Sequence, residues 1–196
     1  NKLPDNGDII NILANEKDKK LFEKIKNNSS SVQEISTVYN GVKPFEKGKG
    51  KPAQTTKIML TKPYVTENEA KPKIGKNWLP LMRGSLMNRY TNFWDNNSWI
   101  NYGEWLAAPR SPAVFEAEEK IIVRQTGDRI IATLIGSNII CRNNLHILIS
   151  NEINHKFILG ILNSKLTDFY YQQINPERGE ALAEVKKQHV EQLPIP

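Results

Sequence analysis

The sequence predicts an α+β fold in which a mainly antiparallel sheet is flanked by an N-terminal helix and a long C-terminal helix packed on it. Three observations predict it. Between Lys120 and Ile149 the apolar bursts Ile121-Ile122-Val123, Ile130-Ile131-Ala132 and Leu145 to Ile149 are separated by turn signals, the mark of short strands joined by turns. From Phe157 onward Ile158, Ile161, Leu162, Leu166, Phe169 and Tyr170 advance in steps of one, three and four, the stripe of an amphipathic helix. Strands and helices are therefore grouped rather than alternating, which favours α+β over a doubly wound sheet.

In chain order, Leu21, Phe22 and Ile25 lie at helical spacing among lysines between Glu16 and Lys26, and Asn27-Asn28-Ser29-Ser30-Ser31 stops that helix. From Val32 to Val42 the β-branched residues and the closing Asn40-Gly41 predict a strand ending in a turn. The run Gly48-Lys49-Gly50-Lys51-Pro52 is irregular and reads as a flexible loop. Lys57 to Leu60 and Trp78 to Leu81 read as short strands, with Pro63 and Pro72 in the loop between them. Aromatic and polar residues roughly alternate from Trp99 to Leu106, and Thr126-Gly127-Asp128-Arg129 reads as a hairpin turn. Asn151 or Asn154 caps the long helix. Beyond Pro176 and Gly179 a short helix through Val185 is expected, and Leu193-Pro194-Ile195-Pro196 ends extended.

The 196 residues include 27 Lys and Arg against 21 Asp and Glu and are 39% hydrophobic, which fits one large folded domain or two small ones. A chain of this size buries about 70% of its unfolded surface and needs no covalent staple. The single cysteine, Cys141, points to a reducing compartment. No apolar run approaches the ~20 residues of a membrane span, and Asn1-Lys2-Leu3-Pro4-Asp5 has no signal-peptide core. A cytoplasmic protein with no membrane partner is expected. Without an initiator methionine the chain reads as a piece of a longer one, divided into a helical lead-in over 1–31 and a domain over 32–196.

The positive charge is concentrated. Residues 41–90 hold eleven Lys or Arg against three Glu, a net +8, and the remaining 146 residues carry −2. Such a patch raises the local concentration of a polyanion, nucleic acid first; the plain alternative is a solvated lysine-rich loop.

Catalytic constellations are incomplete. Gly48-Lys49-Gly50-Lys51 lacks the earlier glycine and the following Ser or Thr of a phosphate-binding loop. His146, His155, His189 and Cys141 lack zinc-ligand spacing and read as structural. Glu69-Ala70-Lys71 has the Glu-x-Lys spacing of metal-dependent nucleases without a preceding Pro-Asp. Asn175-Pro176-Glu177 starts like an Asn-Pro-Pro-Tyr amino-methylation motif but lacks the second proline and the aromatic. There is no glycine-rich loop for S-adenosylmethionine, so an enzyme in its own right is not expected.

Trp78-Leu79-Pro80-Leu81-Met82-Arg83-Gly84-Ser85-Leu86-Met87-Asn88-Arg89-Tyr90 resembles the motif that opens the TaqI-like C-terminal specificity domain of adenine-specific DNA methyltransferases and fused type II restriction-modification enzymes. Tyr102 to Leu106, Phe115 to Thr126, Ile161 to Leu166 and the closing Leu193 to Pro196 follow in the same order as in that family. Tyr39 to Pro52 resembles the glycine-lysine segment of its fused branch. The resemblance covers the chain from about Val38 to its end. It implies a bacterial target recognition domain with a curved sheet, noncatalytic alone, that selects double-stranded DNA for a methyltransferase, sometimes with a nuclease, in the same parent chain. S-adenosylmethionine, and magnesium where the parent cleaves, then belong to parts outside this stretch, which itself carries no cofactor or metal.

Recognition of DNA needs lysines at phosphates and a few arginine or amide side chains at base edges. Lys43, Lys47, Lys49 and Lys51 suit the first task. Arg83, Arg89, Arg110, Arg124 and Arg178, at turns or strand ends, suit the second, with a salt bridge as the plain alternative for each and a clamp beneath Gly84 for Arg83. Tyr90 closes the opening motif and joins the candidate DNA contacts. Of the tryptophans Trp78, Trp94, Trp99 and Trp105, Trp94 is expected to be the exposed one. A noncatalytic protein-interaction module or a single-stranded RNA-binding module is the alternative.

Overall fold

The structure is a computed structural model and describes residues 15–66, 75, 77–94, 96–175, 177, 179–180 and 182–196. Helix α1 (Glu16–Asn27) starts where the Asn15 side chain accepts the Asp18 N–H at 2.9 Å. It buries Ile25 and stacks Phe22 on Tyr170 with ring centroids 4.6 Å apart. Strand β1 (Ser30–Ser31) leads into a one-turn helix α2 (Val32–Ile35) and then β2 (Thr37–Asn40). The strand expected over Val32 to Val42 is therefore split. Ser31 and Glu34 form a capping box in which the Glu34 carboxylate accepts the Ser31 N–H and hydroxyl, and this local pairing outweighs the β-branched residues.

Helix α3 (Thr56–Thr61) replaces the strand expected at Lys57 to Leu60. The Thr55 hydroxyl accepts the Ile58 N–H at 3.4 Å, and none of the helix's residues is buried, so no sheet face competes for the segment. Strands β3 (Val65–Thr66) and β4 (Trp78–Met82), a single 3₁₀ turn over Gly84–Leu86, the paired β5 (Met87–Asn88) and β6 (Thr91–Asn92), and β7 (Trp99–Asn101) follow. Helix α4 (Ala113–Glu116) precedes β8 (Glu119–Arg124), β9 (Ala132–Gly136), β10 (Ile140–Cys141) and β11 (Leu145–Ile149).

Two four-stranded sheets result where one was expected. The first, in the order β2-β11-β8-β9, is wholly antiparallel; the second, β10-β4-β7-β3, is antiparallel apart from the parallel pair β10-β4. The β8–β9 hairpin pairs Val123 with Ala132 around the expected turn. The first sheet is buried on both faces. Ile121, Val123 and Leu148 face the helices, while Ile122, Leu145 and Ile147 face the second sheet with Leu81, Met82 and Ile100. Strands covered on both sides need no polar alternation, which is why these runs are continuously apolar.

The long C-terminal helix is broken into α5 (His155–Leu162) and α6 (Lys165–Ile174). Asn154 caps α5, as one of the two expected candidates, and Ser164 caps α6. Between them Asn163 is buried and bonded to strand β9: its Oδ1 accepts the Ala132 N–H at 3.0 Å and its Nδ2 donates to the Ala132 carbonyl at 2.9 Å. The helix expected to end at Val185 is not found among the described residues. Val185 is buried and donates its N–H to the Gln125 carbonyl, and α7 (Lys187–Glu191) begins after it. Strand β12 (Pro194–Ile195) pairs with β1, so the closing segment is extended as expected.

Candidate nucleic-acid interface

The glycine-lysine segment is a latched loop, a correction to its reading as flexible. Gln54 is buried at its centre, and its Nε2 donates to the carbonyls of Pro44 and Trp105, each at 2.8 Å. Its Oε1 accepts the Glu46 N–H at 2.9 Å. The backbone closes the turn through Gly48 to Gln54, Gln54 to Lys49 and Lys51 to Glu104. Gly50 has φ +84, and a Cβ there would fall 2.4 Å from the Trp105 carbonyl oxygen, so glycine is required. Lys47, Lys49 and Lys51 project to solvent from this fixed frame. Lys51 lies 4.0 Å from Glu104, and Lys43 bonds Glu46 at 2.8 Å. The Lys43 bond holds the Glu46 carboxyl below its usual range, so of these four lysines Lys43 is the most locally neutralised.

Strand ends of both sheets gather arginines at one rim. Arg83 follows β4 and Arg142 follows the parallel neighbour β10, and the Arg142 N–H donates to the Met82 carbonyl at 2.9 Å. Arg124 ends β8 opposite Leu145. Its stem lies over Gly84, where a Cβ would come 3.1 Å from Arg124 Cγ, and its Nε donates to the Thr126 carbonyl at 3.1 Å. Asn144 joins these elements: its Oδ1 accepts the Gly84 N–H at 3.4 Å and its carbonyl accepts the Gln125 N–H at 3.0 Å. Arg110 reaches the same edge by donating Nε to the Gly41 carbonyl at 3.1 Å. Gly41 has no substitute there, because a Cβ would fall 2.2 Å from the Arg142 carbonyl oxygen.

Arg89 is an internal clamp. Its Nη2 meets both carboxylate oxygens of Asp168 at 2.6 and 2.8 Å, and its Nε and Nη2 donate to the Ile130 carbonyl. The next residue, Tyr90, is 58% exposed at the tip of the β5–β6 hairpin. Trp94 is not exposed as expected: it donates Nε1 to the Ser98 carbonyl and packs edge-on against Trp99 at 5.4 Å. The exposed aromatics of this region are Tyr90 and Phe93. Arg178 and the Glu69–Lys71 pair lie outside the described residues. Asn175 is buried, donating to the Tyr171 hydroxyl at 2.5 Å.

The histidines and cysteine are engaged in the core. His146 donates Nε2 to the Val185 carbonyl at 2.7 Å and sets Nδ1 3.0 Å from the Asn40 side-chain amide. His155 Nε2 accepts the Ser150 N–H, and His189 packs edge-on against Tyr171. Burial pushes the Cys141 thiol up to about 12. Among the described residues no three His, Cys, Asp or Glu side chains gather to hold a metal ion.

Residues 79–195 match the family model of the TaqI-like C-terminal specificity domain. The chain belongs to that family. This specificity domain also resembles, among solved structures, the type IIG restriction endonuclease BpuSI, at 11% identity and a TM-score of 0.48; the likeness covers 92% of this chain and 26% of that one. No curated protein matches it by sequence. Several residues of the specificity domain's rim had no signal of their own. Arg142 and Asn144 sit in Cys141-Arg142-Asn143-Asn144-Leu145, which reads only as a turn, and the parallel pairing of β10 with β4 is what carries them to Arg83. Gln54 and Phe93 likewise lie in stretches without periodicity.

Proposed function

We propose that this specificity domain recognises a site in double-stranded DNA on behalf of a restriction-modification enzyme, with methyl transfer and any cleavage performed by other parts of that enzyme. The observation that carries the reading is the rim where Arg83, Arg110, Arg124 and Arg142 gather with the side-chain amide of Asn144, on a chain whose latched loop exposes three lysines. Arginine and amide side chains on strand ends offer the paired donors and acceptors that match base edges, and the exposed ammonium groups of Lys47, Lys49 and Lys51 suit phosphates. S-adenosylmethionine, and magnesium where cleavage occurs, are assigned to the methyltransferase and nuclease parts, in a cytoplasmic enzyme. Among the described residues no helix is long and apolar enough to cross a membrane. Single-stranded RNA binding is less well supported, because Trp99 is buried and Trp94 and Trp105 pack against the core, so these rings are not the exposed platforms that several successive bases need.

The test is a salt titration of duplex binding by this chain. With about four to six phosphate contacts, the log-log slope of affinity against salt is expected near −4 to −5. A slope near zero, or equal preference for single-stranded RNA, would reject the reading.

A further inference from the structure

We propose that Tyr90, supported by Phe93, is a stacking wedge that packs against a base left unpaired in the duplex. The inference rests on the DNA reading above and names a contact within it.

Tyr90 is 58% and Phe93 52% exposed, whereas the neighbouring Trp94, Trp99 and Trp105 pack into the core. The backbone at Tyr90 is left-handed, with φ 64, a region that a bulky L-residue enters only when its surroundings impose it. Here they do. The Tyr90 N–H donates to the Ala132 carbonyl at 3.0 Å, Arg89 is locked to Asp168 and Ile130, and the hairpin pairs Met87 with Asn92 and Asn88 with Thr91. The Phe93 N–H closes the base of the hairpin on the Leu86 carbonyl at 2.7 Å. The rings are thus presented on a fixed support, with little freedom left to lose on binding.

Charge and composition identify the occupant. The hairpin grows from the Gly84 turn, on which the Arg124 stem lies, and the Ile131 carbonyl that accepts the Arg124 N–H is flanked by the two carbonyls that hold Arg89 and Tyr90. A polyanion on the rim therefore passes the hairpin. Arg89 is consumed internally, so the tip offers ring faces rather than a phosphate contact. The rings stand among exposed Asn88, Thr91 and Asn92 instead of within a continuous apolar patch, an arrangement suited to a flat base with polar edges and ill-suited to an apolar protein groove.

The experiment compares two duplexes of the same sequence, one intact and one with 2-aminopurine opposite an abasic site. The chain is expected to bind the second roughly five- to a hundredfold more tightly, the range of one base-aromatic stack, and to quench its fluorescence. Tyr90→Gly should abolish both effects, and Tyr90→Phe and Tyr90→Trp should keep them. Glycine tolerates φ 64, so Tyr90→Gly is expected to melt no lower than the parent. All variants should share one salt slope, since no charge changes. Equal affinity for the two duplexes with the slope intact, or an undiminished preference in Tyr90→Gly, overturns the wedge alone. Absence of salt-dependent binding to either duplex overturns the DNA reading and the wedge with it.

Discussion

Asn163 parts two helices because both ends of its amide are committed to one residue of the neighbouring sheet. Replacing it by Ala leaves the Ala132 N–H buried without that acceptor and removes a donor from the Ala132 carbonyl. The expected cost is about 2–4 kcal/mol, read as a lower urea midpoint with an unchanged denaturant slope. Two histidines give a second expectation. Burial holds the His146 imidazole below its ordinary value of 6.5, and burial followed by the Lys186 charge does the same for His189. The unfolded chain takes up protons that the folded chain refuses, so their contribution is complete above the ordinary value and declines as the pH falls below it. The urea midpoint should therefore be flat above about pH 7 and fall toward about pH 5.5. His146→Gln should shrink that fall.

The latched loop and the apolar strands sit at opposite ends of what local sequence specifies. Gln54 makes three side-chain bonds across the glycine-lysine loop. Gln54→Ala should cost about 2–3 kcal/mol and release the amide protons of Glu46 and Gly48 to faster hydrogen exchange, leaving those of β8 and β11 protected. The strands of 120–149 and the helix from Glu16 were legible because burial on a fixed face writes itself into apolar spacing. The division into two sheets was not, since nothing in Trp78 to Met82 names its partners β7 and β10. Helix α3 was missed because Lys57-Ile58-Met59-Leu60 fits either period, and the deciding Thr55 cap is a single hydroxyl. The break at Asn163 was missed because a stripe of steps three and four runs straight through it; the Ser164 cap was its one local signal, and the contact of Asn163 with Ala132 comes from the neighbouring sheet. For the candidate site, the exposure of Lys47, Lys49 and Lys51 and the strand-end positions of Arg83 and Arg124 were legible from charge and turn signals. Arg142 and Asn144 depend on pairing between segments some sixty residues apart.

Across the molecule, the exposed lysines of the latched loop and the arginines of the rim occupy separate places, so the phosphate-facing and base-facing roles proposed for them are separable by mutation. The triple change of Lys47, Lys49 and Lys51 to Ala should reduce the salt slope by about 2 to 3 and keep any cognate-to-random ratio. Arg124→Ala or Arg142→Ala should lower that ratio by about tenfold, consistent with ~1–3 kcal/mol per base contact, with a smaller change in slope. Both are measured by competition binding between a duplex selected for tight binding and random-sequence DNA. Arg89→Ala should act instead through folding, since its guanidinium holds Asp168 and Ile130. The pairing of β1 with β12 has one more consequence. Ser30 lies beside Ile195 and Ser31 beside Pro194, so the segment that follows α1 and the closing segment of the chain are fastened to each other. Removing residues 194–196 should therefore unfasten Ser30 and Ser31 as well as the tail, a clasp opened from one side, and speed hydrogen exchange at the start of α2 while β8 and β11 stay protected.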